Sequence, residues 1–159
     1  AVALYDKLHS ELAKAGVDGV KVDSQAMAVT LGQGRGGSVK FTRAYVRAME
    51  ESVATRLGGQ GNSVACMCHV SECLYSYRTT SVVRASDDFW PLNTASQTVH
   101  GINVAYNSLF LGEIALPDWD MFQSRNAAAT LHACLRAVGG CPVYVSDHPG
   151  EHNFDILRK

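Results

Sequence analysis

The chain has 159 residues, of which 47% are hydrophobic and 18% charged, so it can form one domain with a real core and is neither disordered nor fibrous. The formal net charge of −1 comes from acids and bases mixed along the sequence, which argues against a nucleic acid or an anionic lipid surface as partner. No apolar stretch approaches the roughly 20 residues that span a bilayer, so we expect no membrane segment.

The first predicted elements are a helix, a turn and a short strand. Leu4, Leu8 and Leu12 recur at helical spacing, and after a turn with two glycines a short apolar run ends at Asp23. The sequence starts inside this helical pattern without a Met and stops at Lys159 without a helix cap. These ends predict a piece of a larger protein.

Helix and strand patterns alternate along the rest of the chain. They predict, in order, a mobile Gly-rich loop at 32–37, a helix over about 40–57, strands over 63–69 and 80–86, a helix over 95–111, a weaker strand over 113–116, a helix over 127–138, a buried strand over 142–146 and a last helix opened by Pro149. Alternation without hairpins predicts an α/β fold with about five parallel strands. A whole (β/α)8 TIM barrel needs about 250 residues, so this chain fits its C-terminal half, with a small doubly wound sheet as the alternative.

Carboxylates follow two of the predicted strands. Asp23 ends the strand that contains Lys21, and both side chains face the same side of it. Catalytic groups gather at strand ends in such folds, so Asp23 is a candidate nucleophile; the structural alternative is an Asp that caps the next turn. Lys21 could form a Schiff base, but pairing with a charge or binding a hydroxyl fits its position better.

A second acidic pair stands close to an arginine. Asp87 and Asp88 are adjacent, so in an extended chain only one of them can face the same pocket as Arg84. If one of these carboxylates lies roughly 5 to 5.5 Å from Asp23, the two acids have the geometry of a retaining glycosidase, in which one attacks the anomeric carbon and the other transfers a proton. A solvated acidic turn is the structural alternative for this pair.

Two further acids flank an aromatic residue. In Asp118-Trp119-Asp120 the carboxylates could accept hydrogen bonds from sugar hydroxyls while the indole covers the apolar face of the ring, although a buried core Trp fits the pattern nearly as well.

The cysteines do not predict a metal centre. Cys66, Cys68, His69 and Cys73 do not have one of the usual zinc spacings, and strand alternation would place them on two faces. The odd number of five cysteines, mostly within apolar runs, indicates a reducing compartment, so we expect a cytoplasmic or plastid protein.

Five motifs together resemble the raffinose synthase and alkaline α-galactosidase (seed imbibition protein) family, in order and nearly without gaps from about residue 16 to residue 157. The motifs are Asp18-Gly-Val-Lys-Val-Asp23, Val83-Arg-Ala-Ser-Asp-Asp-Phe89, Phe110-Leu-Gly-Glu113, Pro117-Asp-Trp-Asp-Met-Phe122 and Tyr144-Val-Ser-Asp147.

This resemblance implies a partial (β/α)8 glycosidase catalytic domain over residues 1–159, without the three first barrel strands and without the N-terminal and C-terminal β domains of such enzymes. It implies that Asp23, after the fourth barrel strand, is the nucleophile and that Asp88 is the acid/base, with Asp87 as the fallback. The substrate-binding residues implied near the galactosyl group are Lys21, His69, Arg84, Asp87, Trp119 and Asp120. The family's fifth-strand loop carries Asn and Thr where this chain has Val70 and Ser71, which leaves the acceptor preference open.

The function expected is therefore that of a raffinose synthase, a galactinol–sucrose galactosyltransferase that works by retaining double displacement without metal or cofactor. An alkaline α-galactosidase that hydrolyses raffinose-family oligosaccharides is the first alternative. The second is a catalytically silent fragment, because a half barrel leaves strand edges and apolar surface uncovered. A phosphate-binding lyase with Lys21 as Schiff base is a weaker alternative, because it gives Arg84 and Asp88 no role.

Overall fold

The computed structural model describes all residues from 1 to 159 as an α/β protein in which four strands alternate with helices. The elements are α1 Val2–Lys14, β1 Val20–Val22, α2 Met27–Leu31, α3 Ser38–Arg56, β2 Ser63–Ala65, α4 Ser71–Leu74, β3 Val82–Arg84, α5 Thr94–Leu111, β4 Leu116–Asp118, α6 Ala129–Gly139 and α7 Phe154–Leu157. The chain divides into two compact units, an N-terminal unit of residues 1–83 and a C-terminal unit of residues 84–159. Every helix is too short or too polar to cross a lipid bilayer.

Strand order follows chain order, β1-β2-β3-β4, which confirms the predicted alternation of parallel strands and helices. In the N-terminal unit β1 pairs in parallel with β2, with Lys21 opposite Val64, and β2 pairs in parallel with β3, with Ala65 opposite Val83. In the C-terminal unit the Ala85 N–H, just after β3, donates to the Asp118 carbonyl oxygen of β4 at 3.2 Å.

The core of the N-terminal unit lies between α1, α3 and the sheet. Met49, Val53 and Leu57 are each 1% exposed and pack with Tyr5 of α1. Burying side chains of this size stabilises the fold by about 1.5 to 3 kcal/mol each. Gly37, with φ of 90°, directly precedes α3 in a conformation that a residue with a Cβ rarely adopts. The predicted helix over about 40–57 is therefore confirmed.

The leucine stripe predicted the first helix but not its buried face. Leu4 and Leu8 are 61% and 50% exposed, whereas Tyr5 and His9 are buried. His9 is held inside by its Nδ1, which lies 2.9 Å from Ser52 Oγ of α3. The hydrogen bond compensates the burial of the imidazole, so an apolar periodicity alone could not identify this face.

Two strand predictions near the end of the chain are wrong. Residues 113–115 continue the turn after α5, because the Ala115 N–H donates to the Leu111 carbonyl oxygen at 2.8 Å, and β4 begins only at Leu116. Residues 142–146 are not a buried strand: Val143 and Val145 are 53% and 42% exposed, and only one isolated bridge joins Val145 to Phe122. The sheet has four strands rather than about five.

The last helix is also placed differently. Pro149 lies in a turn, and α7 begins after Asn153, whose side-chain oxygen accepts from the Asp155 N–H at 3.2 Å. An Asn cap supplies the hydrogen-bond partner that the first turn of a helix needs, and Pro149 does not supply one here.

Candidate active site

A buried arginine at the end of β3 organises the acidic residues of the C-terminal unit. Arg84 is 3% exposed, and its Nη2 donates to the Asp87 carbonyl oxygen at 2.7 Å and to Asp88 Oδ1 at 2.9 Å. The same Nη2 lies 2.9 Å from Asp120 Oδ2. A buried guanidinium is costly unless carboxylates compensate its charge, so these contacts explain how Arg84 is tolerated at this depth.

The two adjacent acids differ in what their carboxylates contact. The Asp88 side chain is 69% exposed and forms the ion pair with Arg84, whereas Asp87 Oδ1 accepts from Asn103 Nδ2 of α5 at 3.3 Å. Both residues are exposed to solvent. The Arg84 guanidinium thus contacts the carboxylate of Asp88 and the main-chain carbonyl oxygen of Asp87.

The acidic turn after β4 is tightly held. The Asp120 N–H donates to Asp118 Oδ1 at 2.9 Å, and Asp120 Oδ2 accepts from the Phe89 N–H at 2.9 Å. The Tyr144 hydroxyl lies 3.2 Å from Asp118 Oδ2 and 3.3 Å from Asp120 Oδ1. Asp118 and Asp120 are 2% and 6% exposed, so these hydrogen bonds fix two buried carboxylates in one geometry.

Trp119 lies in the interior of the C-terminal unit. It is 4% exposed, and a Cβ at position 139 would come within 3.0 Å of its indole, so the ring requires Gly139 of α6 as its neighbour. This packing does not support the prediction that the Trp119 indole covers a sugar face, because a stacking surface must be accessible to the ligand. The core interpretation fits the contacts better.

Two buried side chains hold the main chain of this turn. Arg136 Nη2 of α6 donates to the carbonyl oxygens of Trp119, Asp120 and Met121 at 2.8, 3.1 and 3.0 Å. His100 Nε2 of α5 lies 2.7 Å from the Trp119 carbonyl oxygen. The position of the Asp120 carboxylate is therefore set from two helices.

His100 is neutral at physiological pH. Burial lowers the pKa of His100 most, and the guanidinium groups of Arg84 and Arg136 lower it further. The hydrogen bond to the Trp119 carbonyl raises the pKa, but the net result is a lowering. His100 Nδ1 lies 3.0 Å from the Ser86 hydroxyl and 3.2 Å from the Asp87 carbonyl oxygen, so the ring is held from both of its nitrogens. His100 is therefore a packing and orienting residue beside Arg84.

In the N-terminal unit Asp23 lies directly after β1. It is exposed, and its Oδ1 accepts from the Ser24 N–H at 2.7 Å. Lys21 lies within β1 and is also exposed. The bond to Ser24 orients the Asp23 carboxylate locally but does not cap a helix, which leaves this carboxylate accessible to a ligand.

The loop after β1 is anchored by a buried glutamine. Gln25 is 1% exposed; its Nε2 donates to the Val22 carbonyl oxygen at 2.9 Å and its Oε1 accepts from the Tyr77 hydroxyl at 2.9 Å. The next residue, Ala26, donates its N–H to the Met67 carbonyl oxygen at 2.7 Å. These bonds join the loop after β1 to the loop after β2, where His69 lies exposed.

Left-handed backbone conformations mark three strand ends. Ser24, Met67 and Asp120 have φ of 56°, 44° and 61°, and each stands two residues after a strand. Non-glycine residues adopt this conformation rarely, and such positions cluster at functional sites. In each unit, residues just after a strand therefore have the backbone conformation that is enriched at functional sites.

None of the five cysteines forms a disulfide. Cys68 and Cys73 are buried, and burial raises the pKa of each thiol to about 11, so both are neutral at physiological pH. No group of three or more His, Cys, Asp or Glu side chains converges in a way that could hold a metal ion.

Several supporting residues were not identified from the sequence. His100 lies on the buried stripe of α5 together with Gln97, Gly101 and Val104, so helical spacing could have found it. Gln25 and Tyr144 act through contacts to distant parts of the chain, and no local pattern predicts such contacts.

All of residues 1–159 match the profile of the family described as "Raffinose synthase or seed imbibition protein Sip1". The chain belongs to this family. The resemblance identified from the five motifs is thereby confirmed.

Known relatives agree with this assignment. The chain is 54% identical to "Probable galactinol–sucrose galactosyltransferase 1" of Arabidopsis thaliana and 40% identical to "Galactinol–sucrose galactosyltransferase" of Pisum sativum, each over 99% of the chain. It is 38% identical to "Stachyose synthase" of Pisum sativum over 98% of the chain. It spans 21%, 21% and 19% of the length of these proteins, about a fifth of each.

Proposed function

We propose that this chain is part of the catalytic domain of a retaining α-galactosyl transferase that moves galactose from galactinol to sucrose. The observation that carries the proposal is the ion pair between buried Arg84 and exposed Asp88, at 2.9 Å, directly after a parallel strand in a member of this family. Strand ends are where such folds collect their catalytic groups. The names of the relatives supply galactinol and sucrose as the substrates.

We further propose that residues 1–159 are the C-terminal half of a (β/α)8 barrel. Four strands that alternate with helices in chain order support this architecture. The N-terminal barrel strands and the flanking β domains would then lie elsewhere in the full-length protein, since the relatives are about five times as long. The five free thiols support a cytosolic or plastid location.

In the proposed mechanism the Asp23 carboxylate attacks the anomeric carbon of galactinol while Asp88 gives its proton to the departing inositol oxygen. The C–O bond of the donor breaks as the bond between carbon and Asp23 forms. Ionised Asp88 then takes a proton from a sucrose hydroxyl, whose oxygen displaces Asp23 and gives raffinose with the configuration retained. Water in place of sucrose gives hydrolysis.

The contacts favour Asp88 over Asp87 as the acid/base. Arg84 Nη2 donates to the Asp88 carboxylate at 2.9 Å, and the carboxylate is the form that must accept a proton in the second step. For the first step the protonated carboxyl must leave Arg84, and an exposure of 69% leaves room for that rotation. Asp87 faces Asn103 instead, which suits a residue that binds a hydroxyl.

The galactosyl hydroxyls would be bound by the exposed residues Lys21, His69 and Asp87, while the buried ion pair of Arg84 with Asp120 would support Asp88 from below. Carboxylates accept hydrogen bonds from hydroxyls and ammonium groups donate to them. We assign Trp119 to packing beneath Asp120 because its indole is buried.

A fluorinated galactosyl trap on the full-length protein tests the nucleophile. Fluorine beside the anomeric carbon slows the second displacement, so the enzyme should accumulate with the sugar on Asp23, and mass spectrometry of the digest should find the label there. Label on another carboxylate would overturn the assignment.

Product analysis separates the proposed transferase from the alternative, a hydrolase. With galactinol and sucrose, we expect raffinose; with galactinol alone, slow release of galactose. A preference for water even at high sucrose would instead identify the alkaline α-galactosidase.

A further inference from the structure

The C-terminal unit contains a cleft of about 590 Å³ that none of the assigned residues lines. Its walls come from the start of α5 and the segment before it, from the loop after β4, and from the segment between Val145 and α7. Gln97, Gln123, Arg125, Asn126, Asp147 and Glu151 are among its lining side chains. Ligand sites of proteins have volumes of about 300 to 1,000 Å³, so the cleft is large enough for a small sugar.

The chemistry of the cleft favours a neutral, hydroxyl-rich ligand. The carboxamide of Gln123 both donates and accepts, and the carboxylate of Glu151 stands in the same lining as the guanidinium of Arg125. Charged groups of both signs and amides can all form hydrogen bonds with hydroxyl groups. The lining has two carboxylates, Asp147 and Glu151, and one guanidinium, Arg125, and this balance of charge disfavours an anionic ligand. Leu92 and Ala127 add the apolar patches that C–H faces of a sugar contact.

The cleft walls are fixed by internal hydrogen bonds. Asn126 Nδ2 and Gln97 Nε2 both donate to the Pro91 carbonyl oxygen, at 3.0 and 2.8 Å, which ties the loop after β4 to the start of α5. A preformed wall lowers the entropic cost of binding, which is typical of a built site.

The opposite wall is held through Asp147. Its carboxylate accepts from the Ser124 N–H at 2.7 Å and from the Ser124 hydroxyl at 2.5 Å, and His152 Nδ1 lies 3.2 Å away. Burial raises the pKa of Asp147, but these hydrogen bonds outweigh burial and hold it below the ordinary value. The Asp147 carboxylate is therefore ionised and holds Ser124 and His152 together. Other residues of the cleft, such as Gln123, Arg125 and Glu151, are then the ones that contact a ligand.

The cleft shares two loops with the proposed catalytic residues of the same unit. Pro91 follows Asp88 by three residues, and Gln123 follows Asp120 by three residues. We propose that this cleft binds the sugar that accepts the galactosyl group, an inference that rests on the proposed function. The acceptor hydroxyl must reach Asp88 to lose its proton, and the lining of the cleft begins at Pro91, on the same loop between β3 and α5 as Asp88.

Acceptor kinetics of the full-length protein test this inference. Gln123→Ala removes a polar side chain from the cleft, and Ala127→Trp fills it. Both should raise the KM for sucrose about tenfold, the effect of losing one or two hydrogen bonds, and should lower the ratio of transfer to hydrolysis. Circular dichroism and an unchanged KM for galactinol establish that the variants are folded.

Gln60→Ala and Glu113→Gln are the matched controls, because both side chains are exposed and lie before β2 and before β4, on the amino side of the strands. They should leave the KM for sucrose unchanged. A sucrose KM that does not change in folded Gln123→Ala and Ala127→Trp would overturn the acceptor site. Absence of both raffinose and galactose with the unmodified protein would instead overturn the proposed function.

Discussion

At the scale of single residues, Arg84 shows how one buried cation can serve two carboxylates with different surroundings. Asp120 is 7% exposed in its side chain and accepts from a backbone N–H as well, whereas Asp88 is 69% exposed. The first partner is fixed and the second is able to move. This difference suits the proposed roles, in which Asp120 is a fixed support and Asp88 carries a proton.

Substitution of Asp88 should distinguish leaving groups. In Asp88→Asn we expect the rate with galactinol to fall about 10² to 10⁴-fold, because the departing inositol oxygen no longer receives a proton. An activated nitrophenyl galactoside needs no proton, so the rate of its first step should fall far less. Stopped-flow release of nitrophenol measures this step.

Asp87→Asn is the matched control, since it changes the adjacent carboxylate alone. In this variant the rate should fall by a similar factor with galactinol and with the nitrophenyl galactoside, because a contact with a sugar hydroxyl does not depend on the leaving group. If Asp87→Asn rather than Asp88→Asn showed the dependence on the leaving group, the two roles would be exchanged.

The candidate site could be predicted from the sequence only in part. Strand ends and adjacent acids indicated Asp23, Arg84 and Asp88, because these residues stand close to one another or to a strand pattern. The contacts of Tyr144 with the acidic turn and the burial of Trp119 depend on packing between segments that are distant in the chain. No periodicity encodes that packing.

At the scale of elements, the long helices were predictable and the short strands were not. α3 and α5 have 19 and 18 residues, enough for several turns of an apolar stripe. Each strand has three residues, which is too short for alternation to fix its limits. The exposed apolar run at 142–146 looked like a buried strand because its composition, and not its pairing, is visible in the sequence.

A buried carboxylate joins α3 to the turn before β3. Glu50 Oε1 accepts from the N–H groups of Arg78, Thr79 and Thr80 at 3.0, 3.0 and 2.9 Å. Burial alone would raise the pKa of Glu50, but these backbone hydrogen bonds outweigh it and hold the pKa below its ordinary 4.5. The stabilisation is therefore present above pH 4.5 and is lost as the pH falls through the lowered folded value.

Glu50→Gln should lower the hydrogen-exchange protection of residues 78–80 about 30-fold at pH 7, the equivalent of about 2 kcal/mol for bonds to a charged acceptor. The difference from the unmodified protein should shrink as the pH falls below 4.5 and through the lowered pKa of folded Glu50, because the carboxylate is lost there. Exchange measured by mass spectrometry on the full-length protein checks both. Glu51→Gln replaces an exposed neighbouring carboxylate and should change neither the protection of residues 78–80 at pH 7 nor its dependence on pH.

The packing of α5 on α6 carries a second dependence on pH. His132 is 2% exposed; burial, then Arg136 and His100, lower its pKa to about 4. The unfolded chain binds this proton below about pH 6.5 and the folded chain only below about 4, so stability falls as the pH decreases between these values, by about 1.4 kcal/mol per unit.

His132→Gln should flatten this decline. Hydrogen exchange of peptides from α5 and α6, measured between pH 6.5 and 4, gives the slope. His148→Gln alters an exposed imidazole and should leave the slope as it is. Equal slopes in all three proteins would show that protonation of His132 does not limit stability.

At the scale of the whole molecule, the 159 residues leave an apolar helix face uncovered. Ile102, Tyr106 and Leu109 of α5 are 49%, 71% and 75% exposed and lie at helical spacing on one side. Apolar patches of this kind mark contact surfaces or sites of association. The relatives are about five times as long as the chain, so we attribute this face to contacts within the full-length protein.

We therefore expect the 159-residue chain alone to associate. On size exclusion it should elute ahead of its monomer mass, and Ile102→Gln, Tyr106→Gln and Leu109→Gln together should shift it toward the monomer. Thr98→Gln, at an exposed polar position of the same helix, should leave the elution volume unchanged. A compact monomer with protected amides, formed by the unmodified chain, would contradict this expectation.

The cleft in the C-terminal unit has a consequence for how this family could diversify. Gln123, Arg125 and Glu151 line the cleft and lie outside the ion pairs that hold Arg84 to Asp88 and Asp120, so substitutions at these three positions leave those ion pairs in place. Evolution could then exchange the recipient sugar while the donor chemistry stays constant. Paralogues that build successively longer oligosaccharides could arise by mutation in two surface loops alone.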